Sequence, residues 1–256
     1  MKLTSRNYHS RKANMEYMSV SQFKAFEKCP AAAVAEIKGK YKRDKSTALL
    51  VGSFVDAYFE GTLQRFKKEN PEIFKKDGTL KAEYLQAEEI IKRIERDKLF
   101  MQHLSGEKQR IMTGKIRGVP FKIKIDSFRE DVAIDDLKIM ANFEDGYLEE
   151  KGRVPWFEYW GYDLQGAAYK EIVWQNTAAI LPFYLDAATK EKITDIDIVR
   201  LEEDLLAIAF NRIENNIEMY DAMKHGIIEP TRCEKCEYCK QTKKLKEPTS
   251  SNDYYF

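Results

Sequence analysis

The apolar and polar positions divide the chain into a helical first part, an extended middle and a mixed remainder. Ser19 with Gln22 three positions on makes a capping box ahead of Phe23 and Phe26. Pro30 follows, so a short helix is predicted to end near Cys29 and a second to start at Pro30. Leu49, Leu50, Phe54 and Val55 recur at helical spacing within 48–59, and Leu85, Ile90, Ile91 and Ile94 do so within 81–97. Asn70-Pro71 and Asp77-Gly78 mark loops between them.

The period then shortens. Segments 109–113, 119–126 and 132–139 alternate as strands do and are separated by short glycine-bearing or charged turns, which predicts an antiparallel meander. A helix over 157–174 follows, then strands at 178–187 and 196–201. A last long helix over 202–224 stops at Gly226, because glycine tolerates the left-handed conformation that ends helices. This order implies an α/β or α+β core built on a central sheet.

Size and composition exclude several classes. With 256 residues, 43% hydrophobic and 12% aromatic, the chain can bury a full core and is neither disordered nor fibrous. No apolar run reaches the ~18 residues of a spanning helix, and the basic, polar start from Met1 to Met15 lacks the apolar stretch of a secretory signal. A globular protein of the cytoplasm is expected, as one domain with a cysteine-bearing cap. The net charge of +1 announces no partner by itself, since phosphate binding needs a basic face and not a basic total. Basic clusters at Lys38 to Lys45, Arg65 to Lys68, Lys108 to Lys124 and Lys240 to Lys246 each read first as solvated surface, and become informative only beside a catalytic site.

The candidate chemistry lies on the second and third predicted strands. Asp136 and Lys138, two apart, share one face of a strand while Leu137 points the other way, and Asp126 sits on the neighbouring strand across a tight turn at Arg129 to Asp131. Phosphodiester hydrolysis needs hard oxygen ligands for a divalent cation and a positive group near the attacking water or the developing charge. Asp126 and Asp136 supply the first and Lys138 the second, as orienter, base or charge stabiliser. Alone, an acid-x-lysine pattern is common by chance. Asp56 and Glu60 stand four apart on the preceding helix and could add ligands. Gln165 and Tyr169 stand four apart on the following one, where small neighbours permit close backbone approach; they are candidates to brace Lys138 and touch a DNA backbone.

The ordered set Gly52-x3-Asp56-x3-Glu60, Asp126, Asp136-Leu137-Lys138 and Gln165-x3-Tyr169 resembles the motifs of the RecB-like branch of the PD-(D/E)XK nucleases. Within that branch it is most similar to the phage and prophage RecE-type exonucleases (exodeoxyribonuclease VIII). The resemblance spans about residues 20 to 240. It implies a restriction-endonuclease-like fold, a central mixed sheet flanked by helices, Mg²⁺ or Mn²⁺ dependence, and cleavage at ends of duplex DNA during recombination. It further implies a single-strand annealing protein as partner and admits a homo-oligomer. Many RecB-like nucleases carry histidine where Asp56 stands, so this chain would offer an all-oxygen site.

Four cysteines, Cys29, Cys233, Cys236 and Cys239, are expected in a reducing compartment, where metal ligation is favoured over disulfides. One cysteine before the core and three after it is similar to the layout with which some RecB-like nucleases bind a [4Fe-4S] cluster. The last gap is shorter here, so zinc is the alternative. Joined through a metal, helices at 19–40 and the segment 227–246 would form a cap. Three functions remain in view: a Mg²⁺-dependent exodeoxyribonuclease, an inactive nuclease fold that binds DNA or protein, and a zinc-ribbon scaffold with incidental acids, which would explain the cysteines only. Intact Asp126, Asp136 and Lys138 favour the enzyme.

Overall fold

A computed structural model describes residues 1–43, 46–245, 247, 248 and 250–254. Lys45 and Lys246, which end two of the basic clusters, lie outside the described residues. The helices are α1 (Arg11–Glu16), α2 (Val20–Lys28), α3 (Pro30–Ile37), α4 (Thr47–Phe59), α5 (Leu63–Glu69), α6 (Ala82–Glu95), α7 (Lys98–His103), α8 (Trp156–Tyr159), α9 (Tyr162–Thr177), α10 (Glu203–His225) and α11 (Glu237–Gln241). The strands are β1 (Glu107–Ile116), β2 (Val119–Arg129), β3 (Ala133–Met140), β4 (Gly146–Leu148), β5 (Gly152–Val154), β6 (Phe183–Thr189) and β7 (Ile196–Leu201).

Five strands form one mixed sheet in the order β1-β2-β3-β6-β7. The β1-β2-β3 meander is antiparallel, β6 joins β3 in parallel, and β7 closes the edge antiparallel to β6. The parallel step requires a crossover, and α9 lies within it. Two apolar clusters flank the sheet. One joins Phe23 and Phe26 of α2, Ile123 and Ile125 of β2, Ile172 of α9 and Ile213 of α10. The other joins Phe54 and Val55 of α4 and Ile90 and Ile94 of α6 with Leu137 of β3. Each fully buried side chain of this size contributes roughly 1.5–3 kcal/mol relative to exposure.

The expected fold class, a central mixed sheet flanked by helices, is the one observed, with several differences in detail. The helix expected over 157–174 is two, because Gly161 takes φ 66 and breaks the hydrogen-bond ladder between α8 and α9. The strand expected from 178 starts at Phe183, immediately after Pro182. The β4-β5 hairpin, α1, α5, α7 and α11 are additions. Gly166 on α9 lets Leu206 of α10 and Phe183 of β6 approach so closely that a Cβ there would lie 2.8 Å from Leu206 Cδ2 and 3.0 Å from Phe183 Cδ1. That contact seats α9, and with it Gln165 and Tyr169, against the sheet. No helix among the described residues is long and apolar enough to cross a membrane.

Candidate active site

β2 and β3 pair over only three positions, Ser127↔Asp135, Phe128↔Ile134 and Arg129↔Ala133, around a turn at 130–132. Beyond them the strands part, and side-chain bonds replace the ladder. Asp126 Oδ2 accepts the backbone N–H of Leu137 at 3.1 Å, and its Oδ1 accepts Gln109 Nε2 at 3.1 Å. Gln109 adopts φ 56, a conformation that costs a non-glycine residue of order 1 kcal/mol and is held here beside the acid.

Alternation places Asp136 and Lys138 toward α9. Asp136 is buried, accepts Gln165 Nε2 at 2.6 Å on Oδ1 and pairs with the Lys138 ammonium on Oδ2. Burial pushes its carboxyl up to about 7; Lys138 opposes that shift and Asp126 adds to it. For Lys138 burial works against the charge, yet Asp136 and Asp126 outweigh it and hold the ammonium above its ordinary range. The ammonium also lies 5.1 Å from the Tyr162 ring centroid.

Asp56 arrives from α4 and Glu60 from the position that caps its C-terminus. With Asp126, Gln109, Lys108 and Leu137 they line a cavity of about 10 Å³, which is room for one water or one bare cation. Burial, then the Asp126 charge, raises Asp56 well above the usual carboxylate range. Glu60 is raised too, by burial, with Lys124 opposing and Asp126 reinforcing. Asp56 and Asp126 thus face a gap of ionic size with Glu60, the Asp136 charge adds to the repulsion, and Lys138 compensates it. Hard oxygen donors suit Mg²⁺ or Mn²⁺ in such a place.

Gln165 and Tyr169 sit differently from the expectation. Gln165 directs its N–H to Asp136 and not to Lys138, since an amide N–H needs an acceptor and an ammonium has none. Tyr169 is buried and donates to the Lys124 carbonyl of β2 at 3.0 Å, so it fixes the strand two residues before Asp126 and does not face outward.

One buried group has no counterpart in the sequence reading. His103 Nδ1 lies 2.8 Å from Asp135 Oδ1 and 3.1 Å from Asp186 Oδ1, while Arg129 takes both oxygens of Asp135 at 2.7 and 2.8 Å. Its four residues come from α7, β2, β3 and β6. With His103 protonated, two cations balance two carboxylates; His103, Asp135 and Asp186 also place their ligand atoms within 4.8 Å of one another, a set that could hold an ion. The available signals were Asp135 alternating away from Asp136, and an acid at 186 inside an otherwise apolar strand.

The cysteines do meet. The four sulfurs lie within 4.8 Å of one another, with Cys29 Sγ 3.6 Å and Cys233 Sγ 3.9 Å from Cys239 Sγ. A tetrahedral ion with ~2.3 Å metal–sulfur bonds holds its sulfurs about 3.8 Å apart, so this donor set fits a single soft ion. Ala31 N–H donating to Thr231 O at 3.0 Å ties the two chain segments beside the cluster.

Comparison with known proteins accords with this geometry. The crystal structure of a candidate exonuclease from Eubacterium rectale superposes with a TM-score of 0.96 at 48% identity, covering 100% of this chain and 98% of that one. No curated protein matches. Residues 19–242, which carry every acid and cysteine discussed above, match the model of a PDDEXK-like domain of unknown function (DUF3799); the chain belongs to that family, and through it to the PD-(D/E)XK nuclease superfamily.

Proposed function

We propose that this protein is a divalent-metal-dependent deoxyribonuclease that hydrolyses phosphodiester bonds at the ends of linear duplex DNA. The observation that carries the reading is the convergence of Asp56, Glu60 and Asp126 on a gap of ionic size, with the Asp136–Lys138 pair close enough to act on them electrostatically. Such crowding costs stability unless a cation is drawn in, which is a reason to have it. Asp126 and Asp136 would hold the ion, with Asp56 and Glu60 as further oxygen donors. Mg²⁺ or Mn²⁺, when bound, supplies Lewis acidity at the phosphate and lowers the pKa of water. Lys138 is held protonated, which suits it to offset charge on the phosphate and not to abstract a proton. Gln165 orients Asp136, and Tyr169 holds β2 in place.

Exonuclease action is supported by the related candidate exonuclease and by the motif order. A RecE-type place in phage recombination, a single-strand annealing protein as partner, a homo-oligomer and a cytoplasmic setting extend the reading by resemblance. A single nuclease domain, its two ends stapled at the four cysteines, completes it. The resemblance argues for [4Fe-4S] there and the sulfur spacing for one zinc ion. Digestion of end-labelled linear duplex across a metal titration tests activity, direction and cofactor together. An inactive binding module would leave the DNA intact at every metal concentration.

A further inference from the structure

A cavity of about 510 Å³ lies beside the catalytic pair, within the size range of pockets that hold small ligands. Tyr162 connects the two sites. Lys138 of the acid cluster and Lys24 of the cavity wall lie 5.1 and 5.2 Å from the centroid of that one ring. Trp160 and Tyr159 form another wall; they are 49% and 42% exposed although aromatic, and pack edge to face on each other at 5.2 Å. The Tyr159 ring is not free to swing away. Lys24 Nζ donates to the Trp160 carbonyl at 2.5 Å, and the Tyr159 ring covers Gly146 so closely that a Cβ there would lie 2.0 Å from it.

Charge is sorted across the cavity. Lys24 and Lys28, one turn apart on α2, stand on one wall, and Glu149 and Glu150 of the β4-β5 turn on another. The remaining carboxylates are already paired, Glu27 with Arg212 at 2.5 Å and Glu158 with Lys151 at 2.7 Å. Lysines for a phosphate, an exposed indole for a base face, and carboxylates for exocyclic amino groups make a set that fits one unpaired nucleotide.

We propose that this cavity receives an unpaired nucleotide of the DNA end, its base stacked on Trp160 and its phosphate held by Lys24 and Lys28, next to the bond presented to Asp136 and Lys138. The inference rests on the nuclease reading and adds a site for single-stranded DNA to it. Trp160 is then a positioning residue, one that grips substrate outside the reacting atoms.

The test is equilibrium binding in EDTA, where nothing is cut, of a fluorescein-labelled duplex with a three-nucleotide single-stranded end, against the same duplex carrying abasic sites in that end. Base stacking contributes enough that Trp160→Ala should weaken binding of the base-bearing end about tenfold. It should leave the abasic end unchanged, and Trp160→Phe should restore most of the loss. In the wild-type protein the base-bearing end, and not the abasic one, should quench indole fluorescence, a readout that needs no variant. Equal affinities of Trp160→Ala and wild type, or equal losses on both ends, would overturn the platform. So would fluorescence indifferent to the bases. Metal-dependent digestion by the wild type is read separately, so a failed platform and a failed nuclease assignment are distinguishable.

Discussion

Asp126 Oδ2 accepts the backbone N–H of Leu137, the residue that separates Asp136 from Lys138, at 3.1 Å. The first acid is thereby fixed to the strand that carries the other two groups, at the point where the ladder between β2 and β3 has ended. Asp136 has its own tether in Gln165. Gln165→Ala should therefore raise the half-saturating Mg²⁺ concentration or lower the rate by roughly 10- to 100-fold, as loss of a ligand-orienting bond does. A metal titration of the variant checks this; unchanged metal dependence would remove Gln165 from the site.

Asp56 bears a cost that metal would relieve. Its folded-state carboxyl lies well above the usual range, so it destabilises the metal-free fold increasingly as pH rises from its unfolded value through its folded one. Asp56→Asn should raise the metal-free Tm by a few degrees at pH 8, and by little at pH 4, where the wild-type carboxyl is protonated in both states. Thermal melts in EDTA read the difference. The same variant should bind Mg²⁺ more weakly.

The buried His103 group has the same sign. Asp186 hydrogen-bonding raises His103, and burial lifts Asp186 to about 6. Both groups bind more protons folded than unfolded. The stability that His103 gains is full below its unfolded value near 6.5 and is lost as pH climbs through its raised folded value; the cost of ionising Asp186 grows between about 4 and 6. His103→Asn should flatten the fall in denaturation midpoint from pH 6 to pH 8. An unaltered slope would show that His103 does not titrate in that window.

Removing one sulfur should undo the cap. Cys239→Ser or Cys29→Ser should release the bound metal and lower Tm by roughly 10 °C, the scale expected when a few kcal/mol of linked binding energy is lost in a domain of this size. Elemental analysis and visible absorbance of the anaerobically prepared wild-type protein distinguish iron with sulfide from zinc. Metal-free protein of full stability would contradict the staple.

Much of this was legible because local signals are strong. Ser19 and Gln22 placed α2, Pro30 placed α3, and Gly226 ended α10 where expected. Alternation separated Asp136 and Lys138 from Leu137. Long-range packing decided what was not legible. Nothing in β6 alone announces that it lies parallel to β3, so the meeting of Asp186 with Asp135 and His103 could not be read. The side chain of Gln165 had two neighbours within the motif, and only the fold shows that it takes the carboxylate. Gly161 is compatible with a helix on paper; its positive φ, which splits α8 from α9 and sets Trp160 at the surface, is tertiary.

In the proposed function Asp126, Asp136 and Lys138 form a metal-dependent phosphodiesterase site. Digestion of end-labelled linear duplex by wild type, Asp136→Asn and Lys138→Ala, each across a Mg²⁺ titration with folding verified by circular dichroism, tests it most directly. The expected result is Mg²⁺-dependent release of label by the wild type and a loss of roughly 10²- to 10³-fold or more in both folded variants. Digestion that persists undiminished in either variant, or a folded wild-type protein that cuts no DNA with any divalent metal, would contradict it.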